Sequence, residues 1–233
     1  MKLKPTILGV VALFLFLTLP SGLAAGKPKP QPPSPTEPDC ALLERTIQPG
    51  DLVFIRIGSR VFQELEILQD AWATHVGIVV EDFFGNPVVA ESRIPKSVKG
   101  PICDFIKRSK EYRFAIRRLN QPLTPTEKTL LSLEAERRLG LWYDLGFNYA
   151  SETTQYCSKF VYQTMKSATG LRAGMLQTFE ELKDAASKQG KDIGAILKFW
   201  KNYFGGKIPW KRVTITPASQ YHDPNYHTVL ESQ

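Results

Sequence analysis

Residues 153–162 read TTQYCSKFVY, and the cysteine at position 157 decides how the rest of the chain is read. A polar run from Ser151 to Gln155 gives way there to the helical spacing of Phe160, Val161 and Met165. Cys157 therefore stands at the front of a helix with one buried face. A helix N-terminus and a nearby imidazolium both lower the pKa of a thiol, and the thiolate is the nucleophilic form. A lone cysteine on an apolar helix is more often a small buried hydrophobe, so its neighbours in the fold must decide between the two.

The compartment limits what a free thiol means. Residues 1–25 carry Lys2 and Lys4, the apolar run Ile7 to Leu19, Pro20 and the small residues SGLAAG. That is the three-part plan of a secretory signal peptide, with an apolar core short for a membrane span; an uncleaved N-terminal anchor is the alternative. Residues 26–39, GKPKPQPPSPTEPD, read as a stiff, extended tether. Residues 40–233 then form one domain long enough for a sizeable core. The expected product is secreted or periplasmic and does not span the membrane once its signal is removed.

The formal net charge is +7, of which Lys2 and Lys4 belong to the signal. The basic residues of IKRSKEYRFAIRR and KFWKNYFGGKIPWKR are interleaved with apolar and aromatic positions. Without an accompanying nucleic-acid module they read as a solvated face, so nucleic acid is not an expected partner. Cell-wall association stays open.

Three cysteines make an odd count for an exported chain. Pairing Cys40, at the end of the tether, with Cys103 in KGPICDFIKRS would pin the domain start to its body, stabilising it by roughly 2–4 kcal/mol. Cys157 would then be the free thiol.

Turn and cap signals give a coarse layout. PGDLVFIRI reads as a strand, and RVFQELEILQDAW as a helix with Val61, Leu65, Leu68 and Trp72 on one face. THVGIVVEDFFGNPVVAES reads as a hairpin turning near Gly85 and Asn86, and YRFAIRRL as another strand. Capping pairs Thr124/Glu127 and Thr178/Glu181 open two helices, the first running to Gly140. WKRVTITPAS closes with a short strand. Strands early and helices late predict an α+β domain.

Chemistry concentrates in that hairpin. His75 opens its first strand beside Gly77, which permits close approach of another group, and Glu91 ends its second. A register bringing positions 75 and 91 together supplies an imidazole with a carboxylate. With Cys157 the set comprises nucleophile, base and orienting group. A zinc site is a weaker reading, because these residues lack close ligand pairs. His222 and His227, in YHDPNYH, read as turn residues near the tail. No metal or cofactor is called for.

GDLVFIRIGS, THVGIVVE, VVAESR and YCSKFVY, in this order, resemble the permuted papain-like cysteine hydrolases of the NlpC superfamily, in their YebB/YiiX-like branch. The similarity runs from about Gln48 to Ser219. It implies a circularly permuted papain-like core, with Cys157 as nucleophile, His75 as general base and Glu91 as the residue that orients it. Tyr156 would line the site or donate to an oxyanion, with packing as its other use. The implied reaction is cleavage of a peptide, isopeptide or other amide, or an ester, through an acyl-enzyme, with cell-wall peptides as a natural substrate. The alternatives are acyl transfer to lipid or amine acceptors, where Leu197 to Trp210 would wall an apolar chain, and a non-catalytic envelope binding module. Ser59 to Ala73 and NQPLTP are candidate lids.

Overall fold

The computed structural model of the protein describes residues 37–232, so the expected signal and most of the tether lie outside the described residues. Asp39, the last tether residue, already belongs to the fold. Its carboxylate accepts from the Leu42 N–H at 3.0 Å and caps α1 (Cys40–Thr46).

The chain continues through β1 (Leu52–Ile55), α2 (Arg60–Gln69), β2 (His75–Glu81), β3 (Pro87–Glu91), β4 (Val98–Gly100), α3 (Ile102–Ile106), β5 (Phe114–Leu119) and α4 (Pro125–Glu136). Two short strands, β6 (Trp142–Tyr143) and β7 (Thr154–Gln155), precede α5 (Cys157–Thr169). The rest comprises β8 (Gln177–Thr178), α6 (Phe179–Lys188), α7 (Ile193–Tyr203), β9 (Val213–Thr214), α8 (Pro217–Tyr221) and β10 (Tyr226–Glu231).

Six strands form one sheet in the order β10-β5-β1-β2-β3-β4, with every neighbouring pair antiparallel. Their alternating residues feed two cores. Leu52, Phe54, Val76, Ile78 and Val80 meet Leu131 of α4 and Phe160, Val161 and Met165 of α5. Val53, Ile55, Val79 and Val89 turn the other way, onto Leu43 of α1 and Ile102, Phe105 and Ile106 of α3. A third cluster joins α2, α6 and α7 around Phe147, Tyr156 and Trp200. The result is an α+β domain whose sheet is covered on both faces. Among the described residues no helix is long and apolar enough to cross a membrane.

Several elements depart from the sequence reading. Asp70, at φ 57°, takes the left-handed conformation and stops α2 at Gln69. The buried stripe of α2 is therefore Phe62, Leu65, Leu68 and Gln69, and Trp72 lies beyond it, under the Arg113 guanidinium. The Thr124–Glu127 capping box forms, but α4 ends at Glu136 instead of Gly140. The Arg138 and Leu139 N–H groups tighten onto carbonyls three residues back, and the Gly140 N–H turns away to Ser97. His227 sits in strand β10, not in a turn. Part of the basic charge is structural: Arg117 donates to the carbonyls of Tyr221 and Tyr226, and Arg118 binds Asp51 at 2.7 and 2.8 Å.

A disulfide joins Cys40 to Cys103 with the Cα atoms 5.4 Å apart, spanning 63 positions, while Cys157 is free and buried. The bond ties α1 to α3 across the sheet face that carries His75. Closing so long a loop stabilises the fold mainly by restricting the unfolded chain. Replacing Cys40 and Cys103 together by serine is expected to cost about 3–4 kcal/mol, read as a lower urea midpoint. An unchanged midpoint would contradict the stapling role.

Candidate active site

The β2–β3 register pairs Ile78 with Ala90 and Val79 with Val89. Continued by one pair, it sets Glu91 across from Gly77 and diagonal to His75, with all three on the face toward α3. The His75 Nε2–H donates to Glu91 Oε2 at 2.5 Å, and both side chains are buried. The other carboxylate oxygen, Oε1, accepts from Arg108 Nη2 at 2.6 Å.

Gly77 makes this arrangement fit. A Cβ at that position would lie 2.5 Å from Val89 Cγ1 and 2.9 Å from Phe105 Cε2. Lacking one, the strand lets Phe105 settle against the His75 ring, with centroids 5.6 Å apart. The Arg108 guanidinium in turn covers the Phe105 ring at 5.0 Å. Thus α3 and the residues after it pack the imidazole and hold its carboxylate. Arg108 was hidden in the sequence among scattered basic residues, and only its position beside Glu91 distinguishes it.

Cys157 arrives from the other direction, fixed by a frame of buried polar contacts. Ser92 Oγ, next to Glu91, donates to the Gln155 carbonyl at 3.0 Å, and the Gln155 side-chain amide donates to Ser97 Oγ and the Arg138 carbonyl. On the far side Ser158 Oγ donates to the Ile215 carbonyl at 2.8 Å. Lys159, buried in the first turn of α5, donates to the carbonyls of Ser151 and Thr154 and secures the incoming loop. The Tyr156 hydroxyl bonds Thr214 Oγ1 at 2.9 Å and accepts from the Ile215 N–H at 3.0 Å. That commits Tyr156 to anchoring the helix start, the packing use, and leaves no free hydroxyl for an oxyanion.

The tyrosine hydroxyl beside the thiol belongs to Tyr143. The parallel β6–β7 pairing sets Tyr143 across from Gln155, two residues before Cys157. Its hydroxyl is buried with no oxygen or nitrogen partner among the described residues and is turned to the Cys157 sulfur. Burial, reinforced by the nearby Cys157 charge, pushes its pKa well above the ordinary tyrosine value, so it remains an O–H donor. A two-residue strand leaves no periodic signal in sequence, so nothing there marked this residue. The N-cap Tyr156 supplies no side-chain cap, which leaves first-turn N–H groups of α5 free to bind a ligand.

The thiol, imidazole and carboxylate act as one electrostatic unit. Burial pushes the Cys157 thiol up, but the charge and hydrogen bond of His75, with the Val76 and Ser158 N–H groups, bring it below the ordinary thiol value. Burial alone would lower the His75 pKa; the Cys157 thiolate and Glu91 raise it to about 9. Burial likewise opposes ionisation of Glu91, and His75 and Arg108 overcome it. Thiolate, imidazolium, carboxylate and guanidinium therefore alternate in sign. Because Nε2 is bonded to Glu91, Nδ1 is the ring nitrogen left for sulfur.

His75, Tyr143, Arg93 and Arg108 line a cleft of about 350 Å³, whose wall includes Ser59 and Phe62 at the start of α2. The first candidate lid thus borders the site. NQPLTP does not, since Leu123 packs into the core against Gly50.

This architecture has counterparts. Residues 46–230 match the family described as permuted papain-like amidase enzyme, YaeF/YiiX, C92 family. The chain belongs to that family and is a cysteine hydrolase with the permuted papain-like fold. The uncharacterized protein YiiX of Escherichia coli (strain K12) is 28% identical over 184 residues, covering 79% of this chain and 86% of that protein. A crystal structure described as metalloprotein yiiX from Escherichia coli O157:H7 is similar in fold, with a TM-score of 0.71 at 24% identity, over 80% of this chain and 98% of that one.

Gly77→Ala should cost about 1–3 kcal/mol by forcing Val89 and Phe105 aside, read as a lower melting temperature. A variant of full stability would show that the close approach at Gly77 does not constrain the site.

Proposed function

We propose that the protein hydrolyses amide bonds through a Cys157 acyl-enzyme, with His75 as acid and base and Glu91 as its orienting carboxylate. The observation that carries this reading is the buried 2.5 Å His75–Glu91 bond beside a free thiol of lowered pKa. The Cys157 thiolate attacks the carbonyl carbon, and the oxyanion takes hydrogen bonds from Tyr143 and the first-turn N–H groups of α5. The His75 imidazolium gives the Nδ1 proton to the nitrogen, the C–N bond breaks, and the amine leaves. Neutral His75 then takes a proton from water, hydroxide adds to the thioester carbon, and C–S cleavage releases the acid and restores the thiolate.

Arg108 holds Glu91 ionised and acts through it, as a positioning residue. The substrate class favoured here is a peptide or similar amide, and cell-wall peptides suit the secretion expected from the sequence together with the disulfide. An acyltransferase for lipids is less well supported. The apolar nook beside Cys157, lined by Phe62, Leu65, Phe147 and Trp200, offers only about 20 Å³ and holds no lipid chain, and the cleft of about 350 Å³ carries two arginines on its wall. Trp200 itself is buried in packing between α7 and its neighbours. The site also does not suit a metal: Glu91 is engaged on both oxygens, and no group of three or more His, Cys, Asp or Glu side chains among the described residues could hold one.

An activated ester mixed with the protein should leave an acyl mass on Cys157, absent in Cys157→Ala. Tyr143→Phe should lower kcat/KM for an amide by about a hundredfold, a much larger effect than on alkylation of Cys157 by iodoacetamide, which passes through no oxyanion. Full turnover in Tyr143→Phe would remove Tyr143 from the oxyanion site. Failure to trap any acyl group on a reactive Cys157 would count against acyl-enzyme chemistry itself.

A further inference from the structure

One residue of the cleft has no role in the chemistry above. Arg93 follows Glu91 by two positions, where β3 ends, and its side chain lines the cleft together with His75 and Tyr143. It also lines an adjoining cavity of about 280 Å³ bordered by Glu91 and Arg108. Arg93 is exposed, and its side chain makes no hydrogen bond or ion pair with any described residue. Other arginines of this sheet region are matched: Arg56 with Glu66, Arg108 with Glu91, Arg118 with Asp51.

The charge balance of the cleft follows from these pairings. Its charged lining consists of His75, Arg93 and Arg108, with no carboxylate among the lining residues. Glu91 offsets Arg108, and the Cys157 thiolate offsets the His75 imidazolium. Asp104 borders only the adjoining cavity, where it forms no ion pair among the described residues. The cleft is left with one uncompensated guanidinium on the same lining as His75 and Tyr143. A guanidinium presents parallel N–H donors that match the two oxygens of a carboxylate, and one free charge matches one monoanion.

We propose that Arg93 binds a carboxylate of the substrate close to the scissile bond, so that the preferred substrates are amides of peptides or amino acids bearing a carboxylate at that position. This inference rests on the reading of Cys157 as nucleophile. The carboxylate belongs either to the leaving amine or to the acyl part, and both place it within reach of a residue that lines the same cleft as His75. Binding by Arg93 selects the substrate and leaves the bond-breaking steps to the other residues.

Paired alkylating agents separate the two ideas. Iodoacetate carries a carboxylate, and iodoacetamide is its neutral counterpart of similar size. The iodoacetate-to-iodoacetamide rate ratio at Cys157 is measured in the unaltered protein, in Arg93→Ala and in Arg93→Lys. Loss of a charge-assisted contact predicts that Arg93→Ala lowers this ratio by roughly tenfold while the iodoacetamide rate stays within about twofold. Arg93→Lys keeps part of the ratio, and added salt shrinks the difference. Attraction of iodoacetate by His75 is common to all three proteins and cancels.

Amides bearing the carboxylate on the leaving amine or on the acyl part, each compared with its neutral carboxamide, then identify the side. Arg93→Ala should raise KM for the preferred acid and leave its neutral partner unchanged. A ratio unmoved by Arg93→Ala, with iodoacetamide still reactive, overturns the role of Arg93 alone, as does a KM raised for neither acid. A Cys157 that neither reagent modifies in the unaltered protein overturns the nucleophile on which the inference rests.

Discussion

A carboxylate buried between an imidazole and a guanidinium is the constraint around which this domain is organised. Glu91 is 4% exposed, and an ion so placed would cost several kcal/mol without partners. His75 and Arg108 occupy both of its oxygens. Bringing them together requires an antiparallel register that puts Glu91 diagonal to His75 and a glycine at position 77 that admits Phe105. It also requires a short helix, α3, fixed firmly enough to deliver Phe105 and Arg108 at once. The disulfide from Cys40 supplies that firmness two residues before Phe105. The distant N-terminal helix thereby becomes part of the support of the imidazole.

The same economy positions the thiol. Ser92 follows Glu91 directly and holds the Gln155 carbonyl, so the end of the strand that bears the carboxylate also grips the approach to the cysteine helix. Tyr143 enters by pairing with β7 and is fixed to the same segment. Tyr156, Ser158 and Lys159 bond to the loops on either side. These polar residues, which flank Cys157 in the chain, are occupied with backbone or hydroxyl partners. Sulfur is left with the imidazole, helix-start N–H groups and one tyrosine hydroxyl.

Much of this was legible from residue pattern alone. The β-branched runs THVGIVVE and VVAES on either side of the Gly85–Asn86 turn gave the hairpin, and the polar-to-apolar change before Cys157 gave the helix start. Capping pairs at Thr124 and Thr178 marked two further helices. What escaped notice was short or depended on contacts far apart in the chain. Five residues of α3 are too few to display a helical period, and two residues of β6 too few for a strand. The edge strand β10 buries Tyr226 but exposes His227 and Thr228, so its polar, Pro-containing approach resembled a tail. The choice between Tyr143 and Tyr156 could be made only from where each hydroxyl goes. Arg93 and Arg108 are two arginines of similar local sequence character, and only the carboxylate beside one and the empty space beside the other separate them.

The most direct test of a thiolate held by an imidazolium is a pH titration of the ultraviolet thiolate absorbance, corrected with Cys157→Ala and repeated in His75→Ala. His75 has a raised pKa, so its stabilising charge is complete at neutral pH and fades as pH rises through about 9. The Cys157 pKa is lowered by His75, so its thiolate should form at a lower pH than an ordinary thiolate does. In His75→Ala, where burial acts unopposed by that charge, the thiolate should appear at higher pH than in the unaltered protein. A thiol midpoint that does not move when His75 is removed would contradict the ion pair.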